Sequence, residues 1–218
     1  MKKDSKYGFL FDLDGVLIDS EKEYSRIWAT VNKEFPTGVT DLEVKIKGCT
    51  LDKILADYFP DTVIREKVVR RLYELEGRMH YEYLPGAREL LQDLADKDIA
   101  MALVTSSNED KMKHLDEELP ELRNMFDKVV TADLITKSKP DPEGYLKGAS
   151  LLGKNIRDCV VFEDSLQGVK AGKAAGALVI GVAGTLPQEV LAPYSDIVIH
   201  SLEELGVNDI IRLIDAKQ

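Results

Sequence analysis

The sequence predicts an α/β fold: a Rossmann-like parallel sheet core with helices on both faces and an inserted all-helical cap. Three observations lead there. Short apolar runs recur along the chain, helical stripes lie between them, and one stretch of about 65 residues contains helical patterns alone.

The apolar runs are Tyr7 to Phe11, Ile99 to Val104, Lys128 to Thr131, Cys159 to Phe162, Leu178 to Val182 and Asp196 to Ile199. Most are rich in Val, Ile, Leu or Phe, the composition of strands buried on both faces. Between them, Ala87, Leu90, Leu91 and Leu94 share one helical face. Tyr145, Leu146, Ala149 and Leu152 form a second stripe, and Val169, Lys170, Lys173 and Ala174 a weaker third. Strands alternating with helices predict parallel pairing.

From about Asp19 to Leu84 the alternation stops. Tyr24, Ile27, Trp28, Val31 and Phe35 step at helical spacing. Ile54, Leu55, Tyr58 and Phe59 follow, then Val63, Ile64, Val68, Leu72, Leu75 and Met79, and Pro85-Gly86 closes the stretch. The expected organisation is a discontinuous core of residues 1–18 and 85–218 with a helical cap of residues 19–84. Such a cap would cover the carboxyl end of the sheet, where open α/β sheets bind ligands.

Composition narrows the function. With 44% hydrophobic and 31% charged residues the chain is globular rather than disordered. A formal net charge of -10 argues against nucleic acid as a partner, because phosphate contacts need clustered cations. An anionic small substrate would need a metal or a local cationic site. Cys49 and Cys159 are too few for a disulfide framework and read as thiols of a reducing cytoplasm. The run from Met1 to Leu10, ended by Asp12, fits no signal peptide, and no stretch is long enough for a membrane span. A cytoplasmic monomer is expected.

The candidate chemistry sits at strand ends. Asp12 and Asp14 point the same way if the chain stays extended, and Gly15 lets the backbone turn. Two carboxylates so close suggest a metal site or an acid–base pair, and Asp-x-Asp-Gly also builds plain turns. Thr105, Ser106, Ser107 and Asn108 precede a helical pattern, where hydroxyls and amides bind phosphate or cap the helix. Lys139 is followed by Pro140-Asp141-Pro142, which fixes an extended loop. Glu163, Asp164 and Ser165 end the fourth apolar run before another helix. Together these residues would converge on one sheet edge. They match a hard divalent cation, a nucleophile and positive charge for a phosphoryl group.

In order and spacing these pieces resemble the four motifs of the haloacid dehalogenase-like phosphatase superfamily. Asp12-Leu13-Asp14-Gly15-Val16-Leu17 resembles the first motif, Thr105 the second, Lys139 the third and Glu163-Asp164 the fourth. Ile18-Asp19-Ser20, Pro85-Gly86-Ala87, Tyr145 and Gly168 resemble further marks of the subgroup holding β-phosphoglucomutase and small sugar-phosphate phosphatases. The likeness runs from Phe9 to about Gly184.

The resemblance implies roles. Asp12 would be the nucleophile, forming an aspartyl-phosphate, and Asp14 the acid and then the base. Mg²⁺ would be held by Asp12, the Asp14 carbonyl and Asp164, with Glu163 helping directly or through water. Thr105 and the Ser106 amide would hold phosphoryl oxygens, and Lys139 would neutralise charge. The expected partner is a small phosphorylated metabolite.

Single residues separate the other reactions of the superfamily. Dehalogenases of the superfamily lack the second aspartate, which is present here as Asp14. Phosphonate hydrolysis would need a cap lysine, and Lys22, Lys33, Lys45, Lys47 and Lys53 are the candidates. The main alternative is a β-phosphoglucomutase-type mutase, whose cap carries a histidine and a phosphate-binding arginine. Tyr24 and Leu51 stand at those places in this chain, which favours a phosphatase. A non-catalytic interaction module is disfavoured by the intact Asp12, Asp14, Lys139 and Asp164.

Overall fold

All six apolar runs fold as strands: β1 (Gly8–Phe11), β2 (Ala100–Val104), β3 (Lys128–Val130), β4 (Cys159–Glu163), β5 (Leu178–Val182) and β6 (Ile197–Ile199). They form one sheet of order β3-β2-β1-β4-β5-β6 in which each paired neighbour is parallel. This computed structural model describes residues 5–217. Residues 1–4 and 218 of the expected core, and the side chain of Lys22 among the cap lysines, lie outside the described residues.

Alternation along the strands divides the interior. Phe9, Phe11, Met101, Leu103 and Phe162 face one side, where Leu90, Leu91 and Leu94 of α5 (Ala87–Asp96) and Ile210 and Ile214 of α10 (Val207–Lys217) cover them. The rings of Phe11 and Phe162 stack at 4.6 Å across adjacent strands. Leu10, Ala102, Val104, Val161 and Val179 face the other side. There they meet Tyr145 and Ala149 of α7 (Glu143–Leu152) and Val169, Ala171 and Ala175 of α8 (Leu166–Ala175).

Two of the expected helical stripes are corrected. Leu146 is 42% exposed, because the buried face of α7 runs through Gly144, Tyr145, Gly148 and Ala149. In α8 the buried face is Gly168, Val169, Ala171, Gly172 and Ala175, with Lys173 and Ala174 turned to solvent. Both faces are built of small residues that let the helix approach the sheet, a signal that a search for large apolar side chains passes over.

Between β1 and α5 lie four helices: α1 (Glu21–Glu34), α2 (Leu42–Lys45), α3 (Leu51–Tyr58) and α4 (Thr62–Glu76). Ile27, Trp28 and Val31 of α1 are buried in one cluster with Val68 and Leu72 of α4. Val63 and Ile64, expected in the α4 stripe, are 59% and 38% exposed at its first turn. They follow Asp61, whose carboxylate accepts from both of their amides and caps the helix. Thr50 caps α3 through the Lys53 amide. The chain leaves and re-enters through a short antiparallel pair: the Asp19 amide donates to the Glu82 carbonyl and the Leu84 amide to that of Leu17, both at 2.9 Å.

The remaining helices are α6 (Glu109–Glu118), after β2, and the short α9 (Gln188–Leu191). Among the described residues, no helix is long and apolar enough to cross a membrane.

Candidate active site

The register brings the motif residues to one edge. Phe11 of β1 aligns with Leu103 of β2 and with Phe162 of β4. The ladders continue one residue further: the Asp12 amide donates to the Phe162 carbonyl at 3.0 Å, and the Thr105 amide to that of Val130 at 2.9 Å. Asp12, Thr105 and Glu163-Asp164 therefore leave the carboxyl ends of three adjacent central strands. The strand order reverses between β1 and β4, the place where open α/β sheets form their ligand crevice.

Asp12, Glu163 and Asp164 are all buried, and one carboxylate oxygen from each falls within 4.8 Å of the others. Three anions held this close, away from water, need a cation. Lys139 supplies one: its Nζ is 2.8 Å from Asp12 Oδ1 and also donates to Glu163 Oε1. Burial alone would push the Lys139 ammonium down, but the Asp12 and Glu163 carboxylates carry it above the ordinary lysine value. Burial pushes the Asp12 carboxyl upward, and Lys139 opposes it. One lysine against three carboxylates leaves the cluster anionic. Gly15, at φ 74°, leaves room beside it, since a Cβ there would overlap the Asp164 carboxylate. The buried all-oxygen donor set and this cradle fit a hard divalent cation such as Mg²⁺.

Glu163 is spoken for on both oxygens. Oε1 accepts from Lys139 and, at 2.7 Å, from the Tyr145 phenol. Oε2 accepts from the Ser165 amide at 3.1 Å and the Ser165 hydroxyl at 2.9 Å. Ser165 Oγ in turn accepts from the Gly168 amide and caps α8.

Asp14 lies higher, under the α1–α4 segment. The Ser20 hydroxyl donates to its Oδ1; Lys111 Nζ lies 2.6 Å from Oδ2, and the Ser107 hydroxyl 3.4 Å. A cavity opens between the sheet edge and the helices. Asp12, Asp14, Ser106, Asp164 and Lys111 line its base, and Tyr24, Trp28, Glu43, Lys47, Leu51 and Glu76 line its roof and walls. Tyr24 and Leu51, singled out from the sequence, both reach it. Of the candidate lysines, Lys47 reaches it too, while Lys45 donates to the Thr40 carbonyl and Lys53 pairs with Asp57.

All seven candidate residues gather at this edge, at two levels. Asp12, Asp14, Ser106 and Asp164 line the cavity; Thr105, Lys139 and Glu163 are buried and do not line it. Thr105 Oγ1 accepts from the Ser107 amide at 3.0 Å, and the Ser106 hydroxyl donates to the Gly48 carbonyl at 3.0 Å. Ser20 and Ser107, which the sequence marks without a partner, both turn their hydroxyls toward Asp14, and Lys111 is the contact the sequence does not mark. Lys111 had one available signal: it lies three residues after Asn108, a capping residue that fixes the first turn of α6 beside the strand end.

Residues 9–182 match the model of the haloacid dehalogenase-like hydrolase family. The chain is 34% identical over 206 residues to hexitol phosphatase A of Escherichia coli, covering 92% of this chain and 93% of that one. It is 34% identical over 178 residues to a phosphorylated carbohydrates phosphatase of Thermotoga maritima, covering 77% and 80%. The crystal structure of β-phosphoglucomutase from Clostridium difficile superposes with a TM-score of 0.79 at 23% identity, over 96% of this chain and 97% of that one, a likeness of fold. With its motif residues gathered at the ends of β1, β2 and β4, the chain belongs to the haloacid dehalogenase-like hydrolase family.

Proposed function

We propose that this protein is a Mg²⁺-dependent phosphatase that hydrolyses a small phosphomonoester, a sugar monophosphate of five or six carbons, through an aspartyl-phosphate. The observation that carries the reading is the Asp12 carboxylate. It stands at the floor of the cavity, held by Lys139 at 2.8 Å and grouped with Asp164.

In this reading an Asp12 oxygen attacks phosphorus. The bond from phosphorus to the ester oxygen breaks, and that oxygen takes a proton from Asp14. Water then attacks the phosphorus, Asp14 takes its proton, and the bond to Asp12 breaks to release inorganic phosphate. Lys139, buried behind Asp12, neutralises the nucleophile and the charge it passes to the phosphoryl group, and the Ser106 amide faces the phosphoryl oxygens, with Thr105 shaping the loop that presents that amide. Asp12, Asp164 and the Asp14 carbonyl would hold Mg²⁺, which supplies charge neutralisation at the phosphoryl group. Glu163, with both oxygens engaged, fixes Lys139. Residues 19–84 act as the cap of a discontinuous core of residues 1–18 and 85–218, and the enzyme works as a monomer.

Tyr24 and Leu51 favour hydrolysis over mutase chemistry. A mutase must grip a second phosphate, and leucine offers that anion no donor; burying it unpaired would cost several kcal/mol. The names of the curated relatives, a hexitol phosphatase and a carbohydrate phosphatase, point to the same class.

The test is phosphate release over a panel of sugar phosphates, polyol phosphates, nucleotides, phosphoglycolate and pyrophosphate, with Mg²⁺ and with excess EDTA. Alongside runs a coupled assay for conversion of β-glucose 1-phosphate to glucose 6-phosphate, primed with glucose 1,6-bisphosphate. Metal-dependent release from sugar phosphates without isomerisation is expected. Isomerisation faster than release, or full turnover in chelator, overturns the reading.

A further inference from the structure

Lys111 enters the site from α6, 97 residues away in sequence from the aspartate it meets. Its Nζ lies 2.6 Å from Asp14 Oδ2, with side-chain exposures of 10% for Lys111 and 19% for Asp14. The same ammonium stands 4.0 Å from the centroid of the Tyr24 ring on α1. Glu76 of α4, half-buried on the wall of the same cavity, is near enough to interact with it electrostatically. The lysine is thus held on three sides, by an aspartate of the sheet edge, by an aromatic face and by an acid of the overlying helices. An ion pair this sheltered is weakly screened, unlike a surface pair. The Ser20 hydroxyl takes the other Asp14 oxygen, so the carboxyl group is gripped from both sides.

We propose that Lys111 is a positioning residue for Asp14: it holds that carboxyl group in place and stabilises the negative charge left on it when the leaving oxygen is protonated. The proposal rests on the reading of Asp14 as the general acid. In the step concerned, the bond from phosphorus to the ester oxygen breaks and its electron pair goes to that oxygen. The Asp14 proton moves to the same oxygen, and Asp14 becomes an anion beside the Lys111 ammonium. A fixed cation there needs no reorganisation as the charge appears. An ester whose leaving group is a weak base departs as an anion and draws no proton from Asp14. For such a substrate Lys111 has little to stabilise.

The experiment compares 4-nitrophenyl phosphate, a weakly basic leaving group, with phenyl phosphate, a more basic one, in steady-state assays of wild type, Lys111→Met and Lys111→Arg. Expected for Lys111→Met is a loss of kcat/KM, which reports the step that expels the leaving group, at least about tenfold larger on phenyl phosphate than on 4-nitrophenyl phosphate. Lys111→Arg keeps the charge and is expected to restore most of the phenyl phosphate rate. Equal losses of kcat/KM on both esters would overturn the proposal and make Lys111 a phosphoryl- or substrate-binding group. Asp14→Asn on the same pair separates the two levels. If Asp14→Asn hurts phenyl phosphate selectively and Lys111→Met does not, the positioning role fails and the acid stands. If Asp14→Asn shows no selectivity, the acid assignment itself fails.

Discussion

Tyr145 donates its phenolic hydrogen to Glu163 Oε1 at 2.7 Å, on the oxygen that also receives Lys139. All three groups are buried, so the tyrosine of α7 fixes the carboxylate that fixes the lysine that faces Asp12. Tyr145→Phe keeps the ring and removes one hydrogen bond to a buried ion. A loss of about 1–3 kcal/mol in unfolding free energy is expected. Turnover should fall less than for any change at Asp12. Urea denaturation of the two proteins checks it, and unchanged stability would mean that Lys139 and Ser165 suffice to hold Glu163.

Asp12→Asn separates activity from stability. The amide cannot attack phosphorus, so phosphatase turnover should fall by at least about 10³-fold. The fold is not expected to weaken. Burial raises the Asp12 carboxyl above its ordinary value, so ionised Asp12 costs stability, and that cost grows as pH rises through the raised value. Melting in metal-free buffer above neutral pH should therefore give a Tm for Asp12→Asn equal to or above that of wild type. Activity within tenfold of wild type would remove Asp12 as nucleophile.

How far the sequence reached depended on how local each feature was. The four central strands are short runs buried on both faces, so composition alone marks them, and the edge strands β3 and β6, only partly buried, keep enough Val and Ile to be marked as well. The residues at their ends, from Asp12 to Asp164, could be read because the fold delivers every strand's carboxyl end to one side. The α8 face was misread because its packing uses the absence of side chains: a Cβ on Gly172 would lie 2.9 Å from Val179 Cγ2. For Lys111 the Asn108 cap gives the helix start and so a place near the strand end, but not which charge of Glu109-Asp110-Lys111 turns toward a residue of β1's loop. Only the placement of α6 against that loop decides it.

Gly15 carries a prediction for metal use. At φ 74° an alanine is strained, and its methyl group would overlap the Asp164 carboxylate and crowd Thr185 Oγ1 at 2.6 Å. Gly15→Ala should shift Asp164 and raise the Mg²⁺ concentration needed for half-maximal activity by about tenfold or more, roughly 1.4 kcal/mol in binding. A titration of activity against Mg²⁺ reads it directly. An unchanged midpoint would mean that Asp164 does not hold the metal.

Asp196 provides a pH-dependent clamp far from the site. It opens β6 and accepts from the Val179 amide at 2.8 Å, from Lys173 at 2.8 Å and from Lys217 at 2.7 Å. Burial alone would raise its carboxyl, but these donors hold it below the ordinary 3.8. For a carboxyl lowered in the folded state, the stabilisation is present above the ordinary value and is lost as pH falls through the folded value. Asp196→Asn should thus lower Tm between pH 5 and pH 8, with the gap to wild type closing below about pH 4. A gap that stayed constant down to pH 2 would show that the amide's geometry, not the charge, is responsible.

Two hydrogen bonds tie residues 48–50 of the proposed cap to the sheet edge. The Ser106 hydroxyl, on the loop after β2, donates to the Gly48 carbonyl at 3.0 Å. Ser138, on the loop before α7, accepts from the Thr50 amide at 3.1 Å. Both bonds join the roof of the cavity to loops at strand ends that carry proposed catalytic residues, Ser106 itself and Lys139. If the roof opens, both hydrogen bonds must break, and those loops lose a partner. Each hydrogen bond contributes about 0.5–1.5 kcal/mol, so removing both by Ser106→Ala and Ser138→Ala should favour the open state by roughly fivefold to a hundredfold. The Ser106 amide survives the change, so grip on the phosphoryl group is retained while substrate capture weakens. KM should rise several-fold with kcat little altered, and the Thr50 amide should exchange with deuterium faster. Thr50 exchange at the wild-type rate in the double variant would show that the two serines do not hold the proposed cap against the sheet edge.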